Sequence, residues 1–91
     1  MKLNKEYFDN HPDFETTANL NYLNWYRENG FPNYNEYTSK DGRIIVNNIA
    51  NLSDDAWNFH VDDEYFRSLA SFDVETVEDA NTILKIYGLS I

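Results

Sequence analysis

The dipeptide Asp41-Gly42, between two short β-type runs, constrains the fold of this chain more than any other local feature. The runs extend from Tyr34 to Thr38 and from Arg43 to Asn48, and residues 39–42 join them. Asp-Gly pairs supply the positive φ angles that tight hairpin loops require. The sequence therefore predicts a β-hairpin and, with it, an antiparallel sheet.

A third strand is predicted from Ala56 to Val61. Trp57, Phe59 and Val61 recur at a period of two and would share one face of a strand, with His60 on the other. Ser53 followed by two acids also fits a helix start, because its hydroxyl can cap a first turn and acids are favourable there. We prefer the strand.

Two helices have marked ends. The first is predicted from Thr16 or Thr17 to Asn29, and Gly30-Phe31-Pro32 ends it, because Gly adopts the left-handed conformation and Pro cannot continue a helix. The second is predicted to begin at Thr76, in a capping box with Asp79, and to end at Gly88.

Weaker signals predict three more elements. Lys5 to Phe8 is expected to form a turn or short helix that ends before Pro12. Asp62 is expected to cap a helix that runs to about Ala70 and turns Phe66, Leu69 and Ala70 inward. Residues 72–74 alternate like a short strand.

These elements predict an α+β fold, in which a small antiparallel sheet of about three strands, hairpin included, packs against two or three helices. The 3 Gly and 2 Pro stand singly, and no repeat or linker is present. We therefore expect residues 1–91 to form one domain. A chain of this length can bury one modest core, and 42% of its residues are hydrophobic.

The residue types that catalysis and metal binding need are scarce. The chain has no Cys, which excludes disulfides, Cys-ligated metals and thiol catalysis. His11 precedes a proline in a predicted loop, and no Ser near His60 has a nucleophile-type context. Consecutive carboxylates such as those of residues 62–64 point in different directions, so they do not converge on a metal. We predict no enzyme activity, no metal and no cofactor.

Acidic residues are concentrated in one third of the chain. The sequence has 16 Asp and Glu against 7 Lys and Arg, a formal charge of -9. Residues 54–79 contain nine acids and one base, Arg67, although protein surfaces usually intersperse both signs. We predict that this segment binds a basic protein surface, with Trp57 and Tyr65 as aromatic anchors and with Phe59 and Phe66 in the core. The acids are Asp54, Asp55, Asp62, Asp63, Glu64, Asp73, Glu75, Glu78 and Asp79.

The charge disfavours direct binding to nucleic acid or to an anionic membrane, because phosphate binding depends on surplus Lys and Arg. No apolar run is long enough for a transmembrane helix, and the first residues do not have a signal-peptide pattern. We expect a cytoplasmic protein. A homodimer is possible if hairpin edges pair.

In size, charge and composition, the chain resembles the small acidic inhibitor proteins of bacteriophages and mobile elements, a group that includes DNA mimics and anti-CRISPR proteins. The resemblance implies a non-enzymatic inhibitor that acts in the cytoplasm of a bacterial host, where its carboxylates imitate phosphates and occupy the nucleic-acid-binding surface of a host defence protein. One alternative is an acidic interaction or accessory domain with its partner surface elsewhere, for example around Tyr34 and Tyr37. Another is an immunity or antitoxin protein that neutralises a basic toxin.

Overall fold

One antiparallel sheet of five strands organises the molecule, in the order β1-β2-β3-β4-β5. The computed structural model describes all 91 residues. The α+β prediction is confirmed. The elements in chain order are α1 (Lys5–Asp9), β1 (Phe14–Thr16), α2 (Leu20–Glu28), β2 (Glu36–Ser39), β3 (Ile44–Asn47), β4 (Trp57–Asp62), β5 (Ser68–Val74) and α3 (Val77–Leu84), followed by a 3-10 turn at Lys85–Tyr87.

The predicted hairpin and third strand are confirmed, but the predicted number of strands is too low. β2 pairs with β3 so that Tyr37 lies opposite Val46, and β4 pairs with β3. β1 has only three residues, too few for an alternating pattern to be visible, and it includes Thr16, where a helix was expected to begin. The cap of α2 is Asn19, whose side chain accepts a hydrogen bond from the Tyr22 amide (3.1 Å).

The helix predicted from Asp62 to about Ala70 is wrong. Asp62 ends β4, and residues 63–67 turn the chain into β5. The Asp63 carboxylate accepts hydrogen bonds from the backbone amides of Tyr65 (2.8 Å) and Arg67 (2.9 Å). Such local bonds compete with helix formation, and they explain why the residues after Asp62 form a turn instead of the helix that Asp62 was expected to cap.

Two of the three side chains expected to point inward from this segment are exposed, whereas Ala70 packs against the core. Phe66 is 68% exposed and Leu69 is 43% exposed, which corrects the prediction that Phe66 lies in the core. Phe66 has a φ of 61°, and a Cβ placed on Gly42 would meet its ring at 3.0 Å. The β2–β3 and β4–β5 turns are therefore neighbours at one end of the sheet.

The hydrophobic core lies on one face of the sheet. Phe8 of α1 packs there against Tyr37 and Trp57, and Ala80 and Leu84 of α3 belong to the same cluster. The predicted inward face of β4 is confirmed, because Trp57, Phe59 and Val61 are all buried. The twelve core residues are Leu3, Phe8, Phe14, Tyr37, Ile44, Val46, Trp57, Phe59, Val61, Val74, Ala80 and Leu84.

α2 packs on the opposite face, where a tyrosine cluster covers Glu36. The Tyr34 ring lies 4.6 Å from that of Tyr26 in α2, and its hydroxyl donates to Glu36 Oε1 (3.2 Å). Glu36 and Tyr37 are adjacent in β2, so their side chains leave the sheet on opposite faces. Tyr34 and Tyr37 are both buried, which corrects the alternative expectation of an interaction surface around them.

The ends of the other helices agree with the sequence. Thr76 Oγ1 accepts a hydrogen bond from the Asp79 amide (3.1 Å) and so caps α3, and Gly88 has a left-handed φ of 72°. The short helix predicted near Lys5 is α1. None of the three α-helices is long and apolar enough to cross a membrane.

Candidate protein-binding surface

The nine acids between residues 54 and 79 fall into two groups at opposite ends of the β4–β5 hairpin. Three lie at its turn, and six lie at the other end, where β4 begins, β5 finishes and α3 starts. A β-strand rises about 3.3 Å per residue, so β4 spans roughly 17 Å from its first residue to its last. The two groups of acids are separated by about this distance. We call the second group the acidic end; it consists of Asp54, Asp55, Asp73, Glu75, Glu78 and Asp79.

At the turn, two of the three acids are bonded within the fold. Asp62 is largely buried, with Oδ1 2.8 Å from His60 Nε2. Asp63 forms an ion pair with Arg67 (2.8 Å), and its backbone bonds, first that from Arg67, lower the pKa of the Asp63 carboxyl. Glu64 is exposed and makes no side-chain bond. Asp62 and Asp63 therefore have structural roles, and Glu64 alone is free to contact a partner.

The turn also carries positive charge. Arg43 Nε donates to the Asp62 carbonyl (3.0 Å), and the Arg67 guanidinium lies 5.2 Å from the centroid of the Tyr65 ring. Tyr65 is 70% exposed, as a surface anchor must be. It lies among charges of both signs rather than beside the six clustered acids.

At the acidic end, hydrogen bonds hold the loop before β4 against the end of β5. The Asn51 amide donates to Asp73 Oδ2 (3.4 Å), and Ser53 Oγ donates to Glu75 Oε1 (3.1 Å). Asp54 and Asp55 directly follow this loop segment. These contacts bring carboxylates from two distant parts of the sequence to one end of the molecule.

Two positive groups form ion pairs at the acidic end. Lys2 Nζ is 3.2 Å from Asp55 Oδ2, and the amino group of Met1 forms an ion pair with Glu78. The hydrogen bond from that amino group is the main cause that lowers the pKa of Glu78. Both partners of each ion pair are well exposed, so the two ion pairs add little to the stability of the fold. The other four carboxylates form no ion pair, so this end keeps a strong negative charge.

Apolar side chains lie beside the clustered carboxylates. A shallow cleft of about 320 Å³ is bounded by Leu52 and Ile83 together with Asp73, Glu75 and Asp79. Leu52 is 76% exposed. An isolated Leu in a polar loop gives little sequence signal, and the sequence did not identify it. The acidic end thus combines charge with apolar contact area.

The predicted anchor Trp57 does not belong to this surface. It is 5% exposed and packs against Phe8 at a ring distance of 5.1 Å. Its ring is therefore part of the core and is not available to a partner, which corrects the expectation that Trp57 is an anchor.

One arrangement on the face opposite the core has the composition of a catalytic triad but not its contacts. His60 bonds to Asp62 and lies opposite Ser71 in the sheet. The Ser71 hydroxyl accepts a hydrogen bond from Asn58 Nδ2 (3.3 Å), and no hydrogen bond joins it to His60. Because a nucleophile needs contact with its base, we assign these residues no catalytic role. No three Asp, Glu or His side chains are placed to hold one metal ion.

Comparison with known proteins assigns this chain to no family. No family model, curated protein or solved structure matches it. Its function is therefore inferred from the geometry of the acidic end.

Proposed function

We propose that this protein is a non-enzymatic inhibitor that binds the basic, nucleic-acid-binding surface of a host defence protein through its acidic end. The observation that carries this proposal is the gathering of six carboxylates at one end of the molecule, of which only Asp55, with Lys2, and Glu78, with the amino group of Met1, form ion pairs. Lys and Arg in a nucleic-acid channel bind phosphates. Carboxylates fixed on a folded surface offer such a channel the same charge, so binding would block it competitively.

The fold reduces the energetic cost of concentrating this charge. Glu78 and Asp79 lie in the first turn of α3, where the helix dipole favours negative groups. Asp73 is held in β5 by hydrogen bonds from Asn51 and Asn58. Carboxylates that are already ordered lose less conformational entropy on binding.

Apolar groups beside the carboxylates, exposed Leu52 and half-buried Ile83, support protein binding rather than simple solubility. Leu52 and Ile83 border the cleft between the carboxylates. Interfaces commonly place apolar anchors inside a charged rim, because desolvated contacts supply most of the affinity. A surface selected for solubility alone has no need of an apolar group at its most charged place.

The first experiment identifies the partner. The tagged protein is used to capture proteins from a bacterial lysate, and mass spectrometry identifies what is retained. The proposal expects a basic nucleic-acid-binding protein that high salt releases, because contacts between exposed charges are screened. It also expects nucleic acid to displace the captured protein. Retention that is indifferent to salt and to nucleic acid contradicts the proposal.

The second experiment compares two triple variants that remove the same charge. Because Asp62 and Asp63 are bonded within the turn, the altered acids are taken from the acidic end instead. The matched control removes three exposed acids that make no side-chain bonds and lie elsewhere. The two variants are Asp54→Asn, Glu75→Gln and Asp79→Asn together, and Asp13→Asn, Glu15→Gln and Glu28→Gln together.

The proposal expects the first triple variant to lose at least about tenfold in affinity for the captured partner, or roughly 1.4 kcal/mol. The control variant should lose much less, because its carboxylates lie outside the interface. Equal losses would show that only the net charge matters, and no loss in either variant would show that the acidic end does not bind.

A further inference from the structure

β5 is the last strand of the sheet, and its outer edge is open along most of its length. Successive residues of a central antiparallel strand direct their N–H and C=O groups to its two neighbours in turn. The Asp62 amide donates to the Arg43 carbonyl (2.8 Å), beside β3. Even-numbered residues of β4 therefore bond to β3, and odd-numbered residues of β4 bond to β5. Their partners are the even-numbered residues of β5 from 70 to 74. The remaining residues therefore direct their N–H and C=O groups outward; they are Ser71, Asp73 and, just beyond β5, Glu75.

The first three residues of the chain already occupy the far end of this edge. The Leu3 amide donates to the Glu75 carbonyl (2.9 Å), and Lys2 forms an antiparallel bridge with Thr76. The Lys2 ammonium group also reaches Asp55 at 3.2 Å. An extended segment that contains a base is therefore bound here by main-chain hydrogen bonds and by a carboxylate of the acidic end.

The rest of the edge is available to another strand. Edge strands are usually protected by charges, prolines or bulges. β5 has one irregularity, at Leu69 beside the turn, and residues 68–72 contain no charge. The outward N–H and C=O groups of Ser71 and Asp73 bond to no other part of the chain. The unprotected stretch runs from the bulge to the segment formed by residues 1–3.

Charge complementarity identifies what this edge would bind. A second copy would bring a further charge of -9 against the first. Asp73 and Glu75 lie at one end of the open stretch, and Glu64 lies beyond the other end. We infer that an extended basic segment of the partner protein, about five residues long, adds as a sixth strand beside β5. This inference rests on the proposed function and specifies how the partner chain is held.

Amide hydrogen exchange measured by NMR tests the inference with two probe peptides. One peptide has eight residues that alternate Lys and Val, and the other alternates Lys and Gly, with the same charge but much lower strand propensity. The Lys-Val peptide should slow exchange of the Ser71 and Asp73 amides by at least about tenfold. The Lys-Gly peptide should protect them less. The Phe72 amide, which faces β4, should change little.

The outcomes separate this inference from the proposed function. If both peptides bind with equal affinity and leave the Ser71 and Asp73 amides unprotected, the edge inference is wrong and the acidic end still binds basic partners. If neither peptide binds, both proposals are contradicted. If the two amides become protected as the protein concentration rises without peptide, β5 pairs with a second copy, and the inference of a basic occupant is overturned.

A pair of variants at one position adds an independent check. Ser71→Pro removes an outward N–H group that the fold does not use, and proline is tolerated on edge strands at such positions. Ser71→Thr keeps the N–H group. The inference expects Ser71→Pro to weaken binding of the Lys-Val peptide about tenfold, or 1.4 kcal/mol, while Ser71→Thr retains it. Equal affinity of the two variants would overturn the inference.

Discussion

The ammonium group of Lys2 lies 3.2 Å from the carboxylate of Asp55, although 53 positions separate the two residues in sequence. Lys2 is also the residue that pairs with Thr76 at the open edge of the sheet. One side chain therefore links the edge of β5 to the acidic end. It is the only basic side chain bonded to the six clustered acids, and it occupies the position that we propose for a partner's base.

Removal of this base should strengthen binding to a basic probe. Lys2→Gln frees Asp55, whereas Lys40→Gln removes the same charge at the opposite end of the sheet. We expect Lys2→Gln to bind the Lys-Val peptide a few fold more tightly than Lys40→Gln, since like charges at an interface oppose association. Isothermal titration calorimetry measures both affinities. Equal tightening in the two variants would show that Lys2 has no special place in binding.

Stability should change little in the Lys2 variant. The ion pair is exposed on both sides, and such pairs contribute about 0–1 kcal/mol. Urea unfolding of the two Lys variants provides the control, and a loss well above this range would mean that Lys2 holds the fold rather than occupying a binding site.

Gly42→Ala should destabilise the protein more than Gly88→Ala. The two glycines have similar positive φ angles, 77° and 72°, so an L residue at either costs about 1–2 kcal/mol. A Cβ on Gly42 would also lie 3.0 Å from the Phe66 ring, whereas nothing lies within 4 Å of a Cβ on Gly88. Because Phe66 is exposed and can rotate away, we expect the extra loss to be below about 1 kcal/mol.

Urea unfolding measures this difference, and Phe66→Ala provides the control. In the Phe66→Ala background, Gly42→Ala and Gly88→Ala should cost the same, since the ring that crowds Gly42 is gone. A Gly88→Ala variant at least as unstable as Gly42→Ala in the natural background would contradict the contact between the two turns.

The stability of the fold should fall in acid partly because of Asp9. Hydrogen bonds from Lys5 and then from Tyr37, whose hydroxyl lies 2.7 Å from Asp9 Oδ1, lower the pKa of the Asp9 carboxyl. Because folding lowers the pKa of Asp9, its carboxylate stabilises the folded protein at pH values above the pKa of an unfolded Asp, about 3.9. This stabilisation is lost as the pH falls through the lower pKa of Asp9 in the folded protein.

Asp9→Asn should therefore be less stable than the natural protein at pH 6, and the difference should shrink as the pH is lowered to 3. Urea unfolding across this range measures it. Glu28→Gln, which removes an exposed acid without side-chain bonds, is the control for the loss of one charge. A constant difference between Asp9→Asn and the natural protein over the whole range would contradict the assignment.

At high pH the buried tyrosines should limit stability. Burial is the main cause that raises the pKa of Tyr34 and of Tyr37, and their bonds to Glu36 and Asp9 add to it. Because the pKa of each tyrosine is raised by folding, the folded protein holds the phenol proton more tightly than the unfolded chain does. The contribution of these two tyrosines to stability is therefore complete below the pKa of an unfolded tyrosine, about 10, and is lost as the pH rises above that value. Absorbance at 295 nm should show tyrosines that ionise only when the protein unfolds. Ionisation of all 7 tyrosines near pH 10 in the folded protein would contradict their burial.

The predictable parts of the fold are those that local chemistry specifies. Asp41-Gly42 predicted the hairpin, Thr76 predicted the cap of α3, and the period of two from Trp57 to Val61 predicted β4. Each signal lies within a few adjacent residues. β1 could not be found in this way, because three residues contain no pattern and their stability comes from pairing with β2.

The candidate site depended on information that no single segment contains. An acid such as Asp63 can cap a helix or close a turn, and only pairing of the following strand with β4 decides between them. A period of two shows that Trp57 and Phe59 share a face but not which face is buried. The nine acids separate into two groups because β4 and β5 form a hairpin. The sequence instead predicted a helix from Asp62 to about Ala70, so this separation could not be anticipated.

The central claim is that the acidic end is the binding surface. NMR chemical shift mapping with the Lys-Val peptide tests it most directly, because every backbone amide reports its own position. We expect the largest shifts at residues 1–3, 51–56 and 71–79. Largest shifts at the exposed side of α2, where Trp25 is 59% exposed, or at the β2–β3 turn would contradict it.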